Sequence, residues 1–307
     1  VTAMQVAEQA QLAVDLINPR LNAVVEFYQD KLIPGASDSL PDGVFHGVPC
    51  FFKDVGDVEK GRVSAWGSRA WANRIATEDT EYIHRTRAMG LNFLGRTAAP
   101  EFGTSVVTES LLYGTTHNPW DIRYTPGGSS GGAAVAVAAG LVPIAAAGDG
   151  GGSTRIPSSM CSTVGLKHSR SIAVEISANP DKMSLVSRAC ITRSVRDTAA
   201  FLDAALDPGK ANANPGMPGS HLASLREPPR KLKIAVSSGK WGPYFAAPEV
   251  LAEMHRIGKV LQSLGHTVDE ADAEIDFDDY FRAFRILWTA SEAARVPPEQ
   301  QVGRSRT

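Results

Sequence analysis

Apolar residues recur every three to four positions in two stretches of the chain, one near each end. The first stretch predicts an amphipathic helix over residues 3–17, which Pro19 stops. The second predicts a core-packing helix over residues 248–264, ended by Gly265. The apolar face of that helix consists of Val250, Met254, Ile257, Leu261 and Leu264.

Between these helices, apolar runs alternate with helical patterns. The runs predict strands at residues 21–27, 50–52, 91–95, 141–147 and 232–237, and a short strand at 267–268. Helices are predicted at residues 79–89, 131–139, 196–206 and 277–294. Residues 207–220 are rich in proline and glycine and predict a surface loop. This succession is typical of a layered sheet, so we expect an α/β fold.

Composition and charge narrow the class of protein. Of the 307 residues, 43% are hydrophobic and 21% charged, enough for one large core or two ordinary ones. A net charge of −2 with mixed signs gives no reason to expect nucleic acid or an anionic membrane as a partner, and small neutral substrates fit better. The chain has no 18-residue apolar run and no basic-then-apolar start, so neither a membrane span nor a leader is expected.

The three cysteines bear on metal binding and on the compartment. Cys50, Cys161 and Cys190 lie far apart and lack C-x-x-C spacing. They therefore predict neither a zinc site nor a disulfide framework. A reducing compartment, the cytoplasm, is the expected location.

Candidate chemistry is concentrated in residues 126–159, PGGSSGGAAVAVAAGLVPIAAAGDGGGSTRIPSS. Ser129, Ser130 and Ser153 lie between glycines there, and glycine permits tight turns and close approach of a substrate. Ser129 or Ser130 is a plausible N-cap for the helix at 131–139, and Ser153 is expected at the tip of the strand that follows. Lys53 ends the apolar strand at 50–52.

These residues could form three kinds of functional site. A phosphate-binding loop is disfavoured, because Ala133 and Ala134 stand where Lys and Ser or Thr are needed. A nucleophile elbow at Ser129 or Ser130 requires an apolar strand directly before it, and the preceding DIRYTP is polar. The third is a lysine-activated serine, since a buried neutral lysine such as Lys53 can act as a base.

The sequence resembles the amidase signature family. The resemblance lies in residues 126–159, in GVPCFFKDV, GRTAAPEFG, VGLKHS and RSVRD, and in the 24 positions that separate Ser129 from Ser153. It implies a single α/β/α layered domain with a mixed central β-sheet over residues 1–307. Members usually extend further, so we expect a C-terminal part of this protein beyond residue 307.

The resemblance also implies a Ser, cis-Ser, Lys triad. Ser153 would be the nucleophile, Ser129 the bridging serine next to a cis peptide bond, and Lys53 the general base. The backbone amides of residues 150–153, namely Gly150, Gly151, Gly152 and Ser153, would form the oxyanion hole. Water would hydrolyse the acyl-enzyme by the same path, and no metal or organic cofactor is required.

Other residues are expected to support the site. Asp149 and Arg155 would pair and hold the loop, and Ser130 would cap the helix or hydrogen-bond to the triad. Several positions depart from the family pattern: Gly148 replaces a small hydroxyl residue, Ser162 a glycine, His168 a proline, and Ala189 with Cys190 a Gly-Pro pair. These departures affect the local hydrogen bonding beneath the nucleophile.

The leading hypothesis is a serine amidohydrolase acting on a linear or aryl carboxamide, near the bacterial general amidases and the 6-aminohexanoate cyclic-dimer hydrolases. One alternative is the glutamine-dependent amidotransferase subunit of the same family, against which Gly150 and Ile156 argue. Another is a non-catalytic homologue acting as a binding module. The expected partner is a small amide substrate, and a homodimer stays open.

Overall fold

A computed structural model describes residues 1–169, 185–205, 219–237 and 239–295. Backbone contacts group these residues into two compact units, one within Val1–Leu225 and one within Arg226–Glu299. The candidate site lies in the first unit. The predicted loop at 207–220 falls almost wholly outside the described residues.

The first unit contains helices on both sides of a mixed sheet. Its described helices are α1 (Ala3–Leu21), α2 (Glu81–Ala88), α3 (Gly131–Ala138), α4 (Arg155–Cys161), α5 (Val195–Ala205) and α6 (His221–Ser224). Its strands are β1 (Val24–Phe27), β2 (Pro49–Lys53), β3 (Asn92–Thr97), β4 (Glu109–Ser110), β5 (Gly114–Thr115), β6 (Ile144–Asp149), β7 (Val164–Gly165) and β8 (Ser187–Thr192). Strands β4 and β5 pair only with each other.

The main sheet has six strands in the order β1-β3-β2-β6-β8-β7. Strand β2 pairs in parallel with β3 and β6, whereas β1, β7 and β8 pair antiparallel with their neighbours. Because β2 and β6 run in parallel, their carboxyl ends meet at one edge of the sheet. That edge carries Lys53 from β2 and Asp149 from β6.

Successive side chains of β2 point to opposite faces of the sheet, and they divide the core into two layers. Phe51 packs with α1 and α3 on one face, and Phe52 packs with α2 and α5 on the other. Both rings are fully buried. The expected α/β/α layering around a mixed sheet is therefore confirmed. Lys53, two positions after Phe51, extends from the face that carries α3.

Several predicted bounds were wrong. Helix α1 continues through Pro19 to Leu21, where Asn22 in the left-handed conformation ends it with a hydrogen bond from its amide to the Asn18 carbonyl. Only two helical residues follow the proline, so one lost helical hydrogen bond is tolerated there. The strand predicted at 141–147 begins and ends later, at Ile144–Asp149, and the strand at 21–27 is shorter, at Val24–Phe27.

The second unit consists of β9 (Lys233–Val236), β10 (Lys240–Trp241), β11 (Tyr244–Phe245), α7 (Pro248–Ser263), β12 (Thr267–Glu270) and α8 (Phe277–Arg295). The helices and strands predicted in this part of the sequence are confirmed. The predicted packing face of α7 is partly wrong, because Val250, Ile257 and Leu264 are exposed. The two-stranded sheet of β9 and β12 is too narrow to cover that face, and it packs on Gly258 instead.

Candidate active site

A buried contact between lysine and serine lies at the edge of the main sheet. Lys53 Nζ donates to Ser129 Oγ across 2.7 Å, and the two side chains come from positions 76 residues apart. Lys53 is 3% exposed and Ser129 2%. Burial removes the water that would otherwise solvate an ammonium group, which is the environment in which a lysine can serve as a base.

The backbone around Ser129 has an unusual shape. Gly127 adopts a φ of +79°, a left-handed conformation that favours glycine, and the peptide bond between Gly128 and Ser129 is cis. The cis bond lies beside Ser129, where the resemblance implied one. A Cβ on Gly128 would come within 2.9 Å of the backbone of residues 105–107, so no larger residue fits there.

Thr108 holds this turn from the side. Its hydroxyl donates to the Gly127 carbonyl across 2.8 Å and accepts from the Gly131 amide across 3.1 Å. The residue is fully buried. Sequence reasoning missed it because a lone threonine 23 positions before Gly131 carries no local signal.

Ser153 lies in the turn between β6 and α4, not at a strand tip as predicted. The amide of Ser130 donates to the carbonyl of Ser153 across 3.1 Å, which holds the two serine segments side by side. Ser153 is half-buried, so its hydroxyl is accessible to a substrate in a way that the fully buried Ser130 is not. Ser130 occupies the N-cap position of α3, but its side chain makes no capping hydrogen bond.

Asp149 organises the turn that carries Ser153. Its carboxylate accepts from the amides of Gly152 (2.8 Å), Thr154 (3.2 Å) and Arg155 (3.3 Å). The Arg155 guanidinium adds two contacts of 2.9 Å, the pairing expected from the sequence. Burial alone would raise the pKa of Asp149, but the hydrogen bonds from Arg155 and from the Gly152 amide lower it further than burial raises it.

One expected oxyanion donor has another partner. The resemblance assigns the Gly152 amide to the oxyanion hole, yet this N–H donates to Asp149. An amide has a single hydrogen, so in this arrangement it does not reach a second acceptor. The described contacts leave the amides of Gly150, Gly151 and Ser153 as the candidate donors.

Two departures from the family pattern lie at positions with a defined structural role. Ser162 ends α4 with a φ of +58°, a conformation in which glycine is favoured. His168 is buried, and its Nε2 lies 2.9 Å from the Arg188 carbonyl on β8, a contact that a proline could not make. Neither residue contacts Lys53, Ser129 or Ser153 in the described hydrogen bonds.

The acidic, imidazole and thiol side chains of the described ranges are arranged as follows. In the described part of the chain, no group of three or more His, Cys, Asp or Glu side chains is arranged to hold a metal ion. Cys50, Cys161 and Cys190 are free and buried, and burial raises the pKa of each thiol. None of the helices in the described ranges has both the length and the apolar character needed to cross a bilayer.

Comparison with known proteins identifies the family of this chain. A sequence model of the family described as Amidase matches residues 5–297. The chain belongs to the amidase signature family. AmiB2, a predicted amidase of Mycobacterium tuberculosis, is 39% identical over 296 residues, which cover 94% of this chain and 60% of AmiB2.

Two further relatives have assigned activities. The 6-aminohexanoate-cyclic-dimer hydrolase of Paenarthrobacter ureafaciens is 35% identical over 272 residues, covering 85% of this chain and 54% of the hydrolase. The solved structure of a bacterial aryl acylamidase of the amidase signature family superposes with a TM-score of 0.81 at 27% identity, covering 96% of this chain and 64% of that one. This chain thus spans about 60% of the length of AmiB2.

Proposed function

We propose that this amidase-family protein is a serine amidohydrolase that cleaves the C–N bond of a carboxamide through an acyl-enzyme. The observation that carries the proposal is the buried contact of 2.7 Å between Lys53 Nζ and Ser129 Oγ. A buried lysine surrounded only by apolar atoms would destabilise the fold. A lysine that is hydrogen-bonded to a serine, beside a second and accessible serine, can instead relay a proton.

The first half of the reaction forms the acyl-enzyme. Ser153 Oγ attacks the carbonyl carbon of the amide and passes its proton to Ser129 Oγ. Ser129 in turn passes its own proton to the neutral amine of Lys53. The negative charge that develops on the carbonyl oxygen is stabilised by the amides of Gly150, Gly151 and Ser153, while Asp149 holds the turn in shape.

The second half releases both products. An amine anion is too basic to leave, so the proton returns from Lys53 through Ser129 to the leaving nitrogen as the C–N bond breaks. Water then attacks the acyl carbon, and the same two groups take its proton and return it to Ser153. Atoms and charges balance without a cofactor, and the products are a carboxylic acid and an amine.

The names of two relatives support a proposal for the substrate class. One relative is named for hydrolysis of a cyclic dimer of 6-aminohexanoate, and another for an aryl acylamide. We therefore propose a small, uncharged linear or aryl carboxamide. The net charge of −2 with mixed signs is compatible with such a substrate.

Labelling of the nucleophile tests the proposal. A fluorophosphonate reacts with an activated serine, and peptide mapping identifies that residue. We expect the label on Ser153 and its loss in Ser153→Ala and Lys53→Met. Hydrolysis of an aryl amide should fall by about 100- to 10,000-fold in Lys53→Met, the usual range for a general base.

Matched controls separate chemistry from folding. Ser159→Ala and Lys60→Ala remove an exposed serine and an exposed lysine from the same regions of the chain, and both variants should react as the wild type does. Labelling of Ser130 instead of Ser153 would replace this mechanism with a nucleophile elbow. A folded wild type that takes up no label and cleaves no amide would favour a binding module.

A further inference from the structure

Three charged side chains meet at the end of β2, directly beside the candidate base. Arg96 of β3 donates through Nη1 to the Oδ1 atom of Asp54, the residue that follows Lys53. The Nε and Nη2 atoms of the same arginine donate to Glu26 Oε2 on β1 across 2.9 and 2.6 Å. The side chains of Arg96 and Asp54 are 4% and 0% exposed. A buried ion pair is costly to desolvate, so a gain in stability does not by itself explain its position.

This charged group joins the neighbouring strands β1, β3 and β2 at the point where β2 ends with Lys53. In the parallel register of β2 and β3, Lys53 is the partner of Thr97. The Asp54 amide donates to the Thr97 carbonyl across 3.1 Å and continues the pairing by one residue. Asp54 follows Lys53, and Arg96 precedes Thr97. Their side-chain contact therefore fixes the backbone that carries the lysine from both strands.

The second oxygen of Asp54 connects the same group to a segment near Ser129. Asp54 Oδ2 accepts from the Gly67 amide across 3.0 Å. The residue before that glycine, Trp66, accepts at its carbonyl from the Phe102 amide across 2.8 Å. Trp66 and Phe102 both have left-handed backbones, with φ of 54° and 55°, which are costly for bulky residues. Such conformations persist only where neighbouring contacts hold them, and these hydrogen bonds are contacts of that kind.

Gly103, the residue after Phe102, completes the path to the serine. A Cβ on Gly103 would lie 3.1 Å from Val55 Cγ1 and 3.4 Å from Ser129 Oγ. Val55 directly follows Asp54 in the chain. The Gly103 backbone is thus packed between the residues that follow β2 and the Ser129 side chain. The position of Ser129 Oγ depends on the same backbone segments that Asp54 holds.

We propose that Asp54 and Arg96 are positioning residues for the contact between the candidate base and the bridging serine. The inference rests on the proposed function, in which that contact relays the proton. The pair fixes the lysine through the backbone beside it, and the serine through the segments that contain Gly67 and Gly103. Burial raises the pKa of Asp54, but Arg96 and the Gly67 amide, which donate to its two oxygens, oppose that rise. A misplacement of about 1 Å between reacting groups can cost about 100-fold in rate, so a small displacement here is measurable.

Two substitutions in the whole chain weaken this contact in different ways. Asp54→Asn replaces one acceptor oxygen with an NH2 group, which cannot accept from either donor. Arg96→Lys keeps the positive charge but loses the planar fork that reaches both carboxylates. Arg123→Lys removes the fork of an exposed, paired arginine and is the matched control. Leu202→Ala truncates a buried leucine of α5 and controls for a general loss of stability.

The steady-state constants for an aryl amide distinguish positioning from substrate binding. In Asp54→Asn and Arg96→Lys, we expect kcat to fall by about 10- to 100-fold with KM unchanged within about twofold, because the proton relay acts in the chemical step. Arg123→Lys and Leu202→Ala should keep the wild-type kcat, although Leu202→Ala lowers the Tm. Glu26→Gln keeps the buried pair and weakens only its outer contact, so kcat should fall by about 2- to 10-fold, the equivalent of one hydrogen bond. This variant covers the case in which the other two do not fold.

Amide hydrogen exchange followed by mass spectrometry gives a second readout that requires no activity. In Asp54→Asn and Arg96→Lys, exchange should become faster in peptides that cover residues 49–56 and 96–104, because the pair holds both segments. Exchange in these peptides should be the same in Arg123→Lys as in the wild type.

The possible results separate the two proposals. Faster exchange with an unchanged kcat would show a purely structural pair, overturn the positioning role and leave the amidohydrolase standing. A loss of kcat in Asp54→Asn with a wild-type kcat in Arg96→Lys would assign the effect to charge, and an equal loss in Leu202→Ala would assign it to stability; each would also overturn the positioning role. Faster exchange in the variants of a protein whose wild type cleaves no amide would support the link between these segments and overturn the proposed function.

Discussion

Replacing Asp149 with asparagine tests how the turn that carries Ser153 is held. The change keeps the shape of the side chain but removes its charge and replaces one acceptor oxygen with a donor NH2 group. Three backbone amides and one guanidinium now donate to that carboxylate. At least one of these donors must lose its partner.

The magnitude follows from the burial of each donor. Thr154 is fully buried, and an orphaned buried amide costs about 1–3 kcal/mol. Loss of charge weakens the bond from the Gly152 amide by about 1 kcal/mol, since charge-assisted bonds are about twice as strong as neutral ones. The Arg155 side chain is 53% exposed, so its ion pair adds no more than about 1 kcal/mol. We expect a total loss of about 3 kcal/mol.

Thermal unfolding at pH 7 measures this loss. For a unit of this size, about 3 kcal/mol corresponds to a Tm lower by about 6–12 °C. Asp121→Asn is the matched control, because Asp121 forms a similar pair with Arg123 in an exposed position, and its Tm should equal that of the wild type.

The pH dependence provides a second check with a fixed sign. The pKa of Asp149 is lower in the folded protein than in the unfolded chain, so its stabilisation is complete above about pH 5 and is lost as the pH falls through the folded pKa. The difference in Tm between wild type and Asp149→Asn should therefore shrink between about pH 5 and pH 3. A difference that is small at pH 7, or that grows on acidification, would refute the reasoning.

Three further predictions concern other described residues. Thr108→Val removes both hydrogen bonds to the turn of Ser129, and we expect kcat for an aryl amide to fall by about 5- to 150-fold, since about 1–3 kcal/mol of positioning is lost; an unchanged kcat would show that the turn holds its shape without Thr108. Ser162→Gly should stabilise the protein by about 0.5–1 kcal/mol in chemical denaturation, because glycine adopts the left-handed conformation without strain. Since the three thiols are buried with raised pKa values, Ellman's reagent at pH 8 should modify none of them until the protein is unfolded, and rapid reaction in the native state would contradict this burial.

The linear pattern of residues determined most of the elements and the residue types of the candidate site. Apolar runs marked β2, β3 and β9, and helical spacing marked α1, α3, α5 and α7 within a few residues of their bounds. Glycines around Ser129 and Ser153 indicated sites of close approach. These signals are readable because backbone propensity and side-chain alternation are local properties.

Tertiary structure alone decided which of these residues meet. Strand β8 was not predicted, because the sequence SRACIT is partly polar and is buried only through its pairing with β6 and β7. The same pairing buries Arg188, which in a linear reading resembles any exposed arginine. The contact between Lys53 and Ser129 spans 76 residues and joins the carboxyl end of β2 to the turn that precedes α3.

The Gly152 amide illustrates the same limit on a smaller scale. Its sequence position suggests an oxyanion donor, but the turn directs its hydrogen to Asp149. A lysine, two serines and a run of glycines could therefore be identified as candidates from the sequence. Which groups donate, accept and lie buried depends on distances between segments far apart in the chain, and those distances are set only when the sheet and its two helical layers pack together.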